Sequence, residues 1–166
     1  MDVVARSMNE EDWPSVSEIY RQGIETGKAT FQSDVPAYDE WDAAHIRECR
    51  YVAVIDGEVV GWTALSKVSS RCVYGGVAEV SIYIAENYRE EGIGRLLLQH
   101  LITESERADF WTLQSGIMED NSASISLHEK CGFRQVGYRE HIGRDIHGKW
   151  RSTVLMEKRS EVVGVD

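Results

Sequence analysis

The stretch VAEVSIYIAENYREEGIGRLLLQHLI, residues 77–102, decides how this chain folds. Its first part, VAEVSIYIA, sets Val80, Ile82 and Ile84 at alternate positions, with Glu79, Ser81 and Tyr83 between them. Successive side chains of a strand point to opposite faces, so a sheet strand with one carboxylate embedded among apolar residues is expected. From Gly92 the pattern turns helical and runs on to Ala108. At the junction, Arg89, Gly92 and Gly94 form an RxxGxG arrangement. Free N–H groups and the dipole at a helix start attract anions, and glycines let a pyrophosphate approach without a Cβ in the way. A tight strand-to-helix turn would account for the same glycines. A dinucleotide GxGxxG fingerprint is excluded, because Arg95, Leu96 and Leu97 follow Gly94.

Outward from this core, a short strand is expected around Val3 to Arg6. An amphipathic helix follows, carrying Trp13, Val16, Ile19, Tyr20 and Ile24, with Asn9 as its candidate cap. GKATFQSDVPAY, residues 27–38, breaks the helical period as a loop bearing Phe31, and a second helix starts near Asp39. YVAVI, Asp56-Gly57 and VVGWTAL read as strand, two-residue turn and strand, since Asp-Gly supplies the positive φ angles of a tight hairpin. On the C-terminal side, WTLQSGI is a strand and NSASISLHEK a short helix closed by Gly132. FRQVGYRE and WRSTVLMEK supply two last strands. The order implies an α+β (mixed α/β) fold with a central, mostly antiparallel sheet and helices on its faces. One domain is expected over residues 1–160, with a loose tail at 161–166.

With 166 residues and 42% hydrophobic content the chain suits one core and has no room for a second comparable domain. A net charge of −10 disfavours nucleic acid as a partner. Cys49, Cys72 and Cys131 are odd in number and lack CxxC spacing, so neither disulfides nor a metal site is expected, and all three are read as structural thiols. No signal-like or bilayer-length apolar run occurs, and a cytoplasmic protein without a membrane partner is expected.

AEVSIYIAENYREEGIGRLLLQHLI resembles the central acetyl-CoA-binding motif of the GNAT N-acetyltransferase superfamily, and NSASISLHEKCGF resembles its next motif. More narrowly, the chain is similar to the phosphinothricin and methionine sulfoximine N-acetyltransferases. The residues that carry this likeness are Arg71, Tyr74, Glu79 and His128, followed by Gly148-Lys149-Trp150. The resemblance implies a GNAT-type twisted sheet with helices on both faces, acetyl-CoA as co-substrate, no metal, a small amine as acceptor and a homodimer. It implies that the backbone of Ile82, Tyr83 and Ile84 pairs with the pantetheine arm, while Glu90, Glu91, Gly92, Ile93, Gly94 and Arg95, with Arg89, wrap the pyrophosphate. Asn121, Ser124 and Lys130 would contact the same cofactor. A strand that splays from its neighbour would leave the free N–H and C=O groups that a peptide-like pantetheine can satisfy.

Acetyl transfer needs a neutral amine, so a base must take a proton, and Glu79 is the candidate. Its apolar neighbours suggest partial burial and a raised pKa; an exposed or ion-paired glutamate is the plainer alternative. His128 lies two helical turns beyond Asn121 and could donate a proton to the departing thiolate, or could be a core-edge histidine. Tyr138 is the second candidate, because related enzymes of the superfamily use a tyrosine for that step. Arg71 and Tyr74 could hold the carboxylate of an amino-acid-like acceptor. Phe31 resembles an aromatic wall of the acceptor pocket in this branch, and a core-anchoring phenylalanine accounts for it equally well. Ser69, where a second basic residue would be expected, departs from the phosphinothricin pattern. Acetylation of a peptide or protein N-terminus, and a non-catalytic acyl-CoA-binding module, stay open as alternatives.

Overall fold

The computed structural model describes residues 2–166; Met1, where the expected domain begins, lies outside them. Seven strands share one sheet: β1 (Val3–Ser7), β2 (Tyr51–Ile55), β3 (Glu58–Lys67), β4 (Val77–Ile84), β5 (Thr112–Met118), β6 (Arg134–Arg144) and β7 (Trp150–Arg159). Their order is β1-β2-β3-β4-β5-β7-β6. Every neighbouring pair is antiparallel except β4 and β5, in keeping with the expected sheet.

Helices α1 (Trp13–Glu25) and α2 (Tyr38–Ala44) cover one face, and α3 (Ile93–Arg107) and α4 (Ser122–Lys130) the other. Val16, Ile19, Ile24 and Trp41 pack on Trp62 and Ala64 of β3, while Leu98 and Leu101 pack on Leu65 and Val80 from the opposite side. The β2–β3 hairpin turns where the Asp-Gly pair predicts it, with Asp56 at φ 49° and Gly57 at φ 79°, both in the left-handed region that such turns require. The first helix starts later than its candidate cap. Asn9 instead caps a 3-10 turn at Glu10–Asp12, whose Asp12 carboxylate accepts from the Asn9 N–H at 2.9 Å, and α1 begins at Trp13.

α4 ends on Gly132 at φ 94°. The Phe133 N–H donates to the His128 carbonyl and the Gly132 N–H to that of Glu129, each at 3.0 Å, which closes the helix in a Schellman motif. Gly76, just ahead of β4, is needed for another reason: a Cβ there would lie 2.1 Å from Cε3 of Trp111. The Gly76 carbonyl also accepts from the N–H groups of Trp111 (2.8 Å) and Thr112 (3.1 Å), which starts the parallel pairing of β4 with β5.

The tail expected to be loose from Glu161 is tied down as far as Gly164. The Arg159 guanidinium donates to the carbonyls of Ser160, Val163 and Gly164 at 2.7 to 2.8 Å, and the Ser160 hydroxyl accepts from the N–H groups of Val162 and Val163. These local bonds satisfy backbone groups that a loose tail would leave to water. Cys49 and Cys131 are buried, whereas Cys72 is exposed, against the expectation of three structural thiols. No described helix is long and apolar enough to cross a membrane.

Candidate active site

The parallel ladder between β4 and β5 is short. It pairs Val77 with Thr112, Ala78 with Leu113 and Glu79 with Gln114. Past Glu79, β4 continues along β3 to Ile84, and β5 continues along β7 to Met118. The two strands therefore part, and the β4 backbone loses its neighbour on one side. A cleft of about 960 Å³ opens at this fork. Such a volume suits a large cofactor, and unpaired strand backbone offers a ready template for a peptide-like chain.

The expected cofactor residues Ile82, Tyr83, Ile84, Arg89, Glu90, Gly92, Gly94, Arg95, Asn121, Ser124 and Lys130 line this cleft. Glu91 and Ile93 do not: Glu91 is exposed beside it, and the Ile93 side chain is buried against β2 and β3, so only its backbone could serve. Gly92 stands at φ 81° as the residue before α3. It turns the chain so that the unpaired N–H groups of the first helical turn face outward, where they favour an anion.

The other wall was not foreseen. Thr26, Lys28 and Ala29, just beyond α1, line the cleft, and the Asn121 side chain holds them in place. Its Oδ1 accepts from the Ser124 N–H at 3.2 Å as the cap of α4, and its Nδ2 donates to the Lys28 carbonyl at 3.2 Å. Arg151 steadies the same loop from below, donating to the Gly27 carbonyl and to Asp145, both at 3.0 Å, and pairing with Asp120. Asp145 in turn accepts from the N–H groups of Lys149 (3.0 Å) and His147 (2.9 Å). Gly148-Lys149-Trp150 therefore builds the β6–β7 turn. The only sequence sign of this wall is its glycine and lysine after an amphipathic helix, which any loop would show.

Glu79 sits where the strands part, on the sheet face that carries Tyr83. Its side chain is exposed, so the expected burial is corrected. Ala78 and Val80 are buried because they point to the other face, and their burial says nothing about Glu79. One carboxylate oxygen, Oε1, accepts from Gln114 Nε2 at 3.1 Å.

His128 is 1% exposed and is not among the residues lining the cleft. Its Nδ1 lies 2.7 Å from the Ser124 carbonyl, which can only accept, so Nδ1 carries the proton; Nε2 is buried without a partner. Burial pushes the imidazole below its ordinary value and keeps it neutral. Tyr138 lies on the edge strand β6, largely exposed and away from the cleft. Arg71 and Tyr74 come together ahead of β4, the guanidinium 5.8 Å from the tyrosine ring centroid. Phe31 packs against Gly143 of β6. Sequence reasoning missed Gln114, whose register opposite Glu79 depends on a long-range strand pairing.

The family model described as "Acetyltransferase (GNAT) family" matches residues 10–133. The chain is 32% identical over 159 residues to the phosphinothricin N-acetyltransferase of Alcaligenes faecalis, covering 92% of this chain and 80% of that one. It is 26% identical over 163 residues to the L-methionine sulfoximine/L-methionine sulfone acetyltransferase of Pseudomonas paraeruginosa, covering 95% of this chain and 94% of that one. Among solved structures, it superposes with a TM-score of 0.86 and 29% identity on a phosphinothricin acetyltransferase from Sinorhizobium meliloti in complex with acetyl-CoA. That match covers 100% of this chain and 97% of the other.

Proposed function

Because this chain belongs to the GNAT acetyltransferase family, we propose that it moves the acetyl group of acetyl-CoA directly onto the α-amine of a small amino-acid-like molecule. The observation that carries this reading is the parting of β4 from β5 immediately beyond Glu79. The fork offers free strand backbone to a pantetheine arm on one side and an exposed carboxylate at its apex on the other.

In this reading the pyrophosphate lies over the Arg89–Arg95 turn, held by the N–H groups that start α3 and by the cationic side chains of the cleft, Lys28, Arg89, Arg95 and Lys130. Glu79 takes a proton from the incoming ammonium, directly or through a water. The neutral amine nitrogen then attacks the thioester carbonyl carbon, the new C–N bond forms, the C–S bond breaks to leave a thiolate, and the nitrogen sheds its second proton to solvent as the amide forms. No covalent enzyme intermediate is required, which fits the absence of any cysteine from the cleft lining. Neither candidate for protonating the thiolate lines the cleft, since His128 is buried with its Nε2 unpartnered and Tyr138 stands exposed on β6, so in this reading the thiolate takes its proton from solvent.

Arg71 and Tyr74 are assigned to the acceptor's carboxylate, and Phe31 to its side chain. Phosphinothricin, methionine sulfoximine and methionine sulfone all present an amine beside a carboxylate. Ser69 in place of a second basic residue favours the methionine analogues over phosphinothricin. A homodimer in the cytoplasm completes the proposal, supported by the edge strand β6, which exposes Val136, Tyr138 and Ile142.

The experiment is release of free thiol from acetyl-CoA by the purified protein with methionine sulfoximine, methionine sulfone, phosphinothricin, common amino acids, polyamines and short peptides. Turnover with the amino-acid analogues alone supports the reading. Turnover with peptides alone transfers the assignment to N-terminal acetylation, and acetyl-CoA binding without any turnover transfers it to a binding module.

A further inference from the structure

A polar row crosses the open face of the sheet at the apex of the fork. The strand registers place Ser66, Glu79, Gln114, Glu157 and Arg134 side by side on β3, β4, β5, β7 and β6. Side chains at directly opposed positions share a face, so Gln114 stands between two carboxylates. Its amide has chosen one of them. Nε2 donates to Glu79 Oε1 at 3.1 Å, while the Glu157 carboxylate is engaged by Arg134 Nη2 at 3.0 Å. The ion pair on the far side therefore leaves the Gln114 amide free for Glu79.

The contrast in burial gives this contact its weight. Glu79 is exposed, and an exposed glutamate with three rotatable bonds samples many positions. Gln114 is half-buried, and its backbone is fixed by strands on both sides. It can therefore hold a neighbour that nothing else holds: no other side-chain partner reaches Glu79 among the described residues. Past Gln114 the same face is uncovered, since a Cβ built on Gly116 meets nothing within 4 Å. An amine arriving over Gly116 would find Glu79 Oε2 unoccupied, with Oε1 already anchored.

We infer that Gln114 is a positioning residue for the acetyl-transfer reaction: its amide fixes the Glu79 carboxylate in one orientation and directs the second oxygen at the incoming amine. This rests on the proposed role of Glu79 as base. Gln114 is not among the residues that line the cleft proposed for acetyl-CoA, so its effect is confined to the proton-transfer half of the site.

The test compares Gln114→Leu, Gln114→Glu and Glu79→Gln with the unaltered protein, all as full-length chains. Gln114→Leu removes the donor and should lower kcat about tenfold with acetyl-CoA affinity unchanged. The acid limb of the pH profile should move upward, because the charged carboxylate has lost a stabilising hydrogen bond. Gln114→Glu should move that limb further, since two carboxylates would then face each other. Crystal structures give a readout independent of turnover: in Gln114→Leu the Glu79 side chain should spread over several rotamers while the β4–β5 ladder persists. Unchanged kcat, pH limb and Glu79 rotamer in Gln114→Leu would overturn the inference, as would a parallel loss of acetyl-CoA binding, which marks a structural role. If Glu79→Gln is inactive while Gln114→Leu is normal, only this inference falls. If Glu79→Gln keeps full turnover, the base assignment falls first.

Discussion

Gly76→Ala joins the packing of the fold to the geometry of the site. A Cβ on Gly76 would lie 2.1 Å from Cε3, 2.3 Å from Cζ3 and 2.5 Å from Cδ2 of Trp111. Contacts between carbon atoms are comfortable near 3.5 to 4 Å, so either the indole or the backbone must move by more than an ångström. The indole belongs to the residue whose N–H, with that of Thr112, bonds the Gly76 carbonyl, so neither can move without pulling on the start of the β4–β5 ladder. Overpacking of this severity costs about 3 kcal/mol. For a chain of this length that corresponds to a Tm lowered by about 6–12 °C. The displaced segment leads back to Arg71 and Tyr74, so the KM for the acceptor should rise while acetyl-CoA affinity, set on the other side of the fork, holds. Thermal melts, calorimetric titration with acetyl-CoA and steady-state kinetics on one preparation make the check. A Gly76→Ala protein that melts within about 1 °C of the original, against the size-scaled expectation, would show that the contact is not a constraint and refute the reasoning.

Asn121→Ala removes both the cap of α4 and the bond to Lys28; a stability loss of about 1 kcal/mol should accompany weaker acetyl-CoA binding, and a variant that loses stability yet binds normally would detach the far wall from cofactor binding. The N–H groups of Lys149 and His147, together with Arg151, hold the Asp145 carboxyl below the ordinary carboxylate range, so its contribution to stability is present above about pH 4 and is lost as pH falls through the depressed value. Arg151→Met should therefore show a shallower loss of stability in acid and a weaker grip on acetyl-CoA; urea melts across the acid range decide, and an unchanged acid slope speaks against the clamp. Burial pushes both His45 and His128 down from the ordinary imidazole value. Their effect on stability is nil well above about pH 6.5 and becomes a loss as pH drops through that value, because only the unfolded chain readily takes up the protons. Melts at descending pH should show this fall in the original protein and a smaller one in the His45→Gln, His128→Gln double variant.

Much of the fold is legible in the sequence because local chemistry dictates it. Asp56-Gly57 can hardly be anything but a hairpin turn, and the alternation in residues 77–84 and the glycines at 92 and 132 mark a strand and two helix ends by positions that only glycine or a pleat accommodates. One wall of the cleft is legible for the same reason, since it is built from the contiguous strand, turn and helix of residues 82–95, whereas the facing wall at Thr26, Lys28 and Ala29 comes from a distant loop that no local pattern marks. The acceptor side depends on which strands meet. Nothing in the letters around Glu79 says that β5 leaves it exposed, or that Gln114, far along the chain, reaches its carboxylate. His128 has helical spacing that suits the cleft, yet its ring turns inward on Phe133, with centroids 4.9 Å apart, a choice made by tertiary packing. Residues 161–164 have the composition of a tail and are held by the Arg159 guanidinium and the Ser160 hydroxyl, contacts no hydrophobic pattern announces.

The most direct measurement follows both products of one reaction mixture: free thiol by colour and the acceptor by mass spectrometry, with acetyl-CoA and methionine sulfoximine or methionine sulfone, for the original protein and for Glu79→Gln. Direct transfer with Glu79 as base requires one N-acetylated amino acid per thiol released, and a Glu79→Gln protein that binds acetyl-CoA normally but turns over at least about a hundredfold more slowly near neutral pH. Thiol release without an acetylated product, or a Glu79→Gln protein as fast as the original, would contradict it.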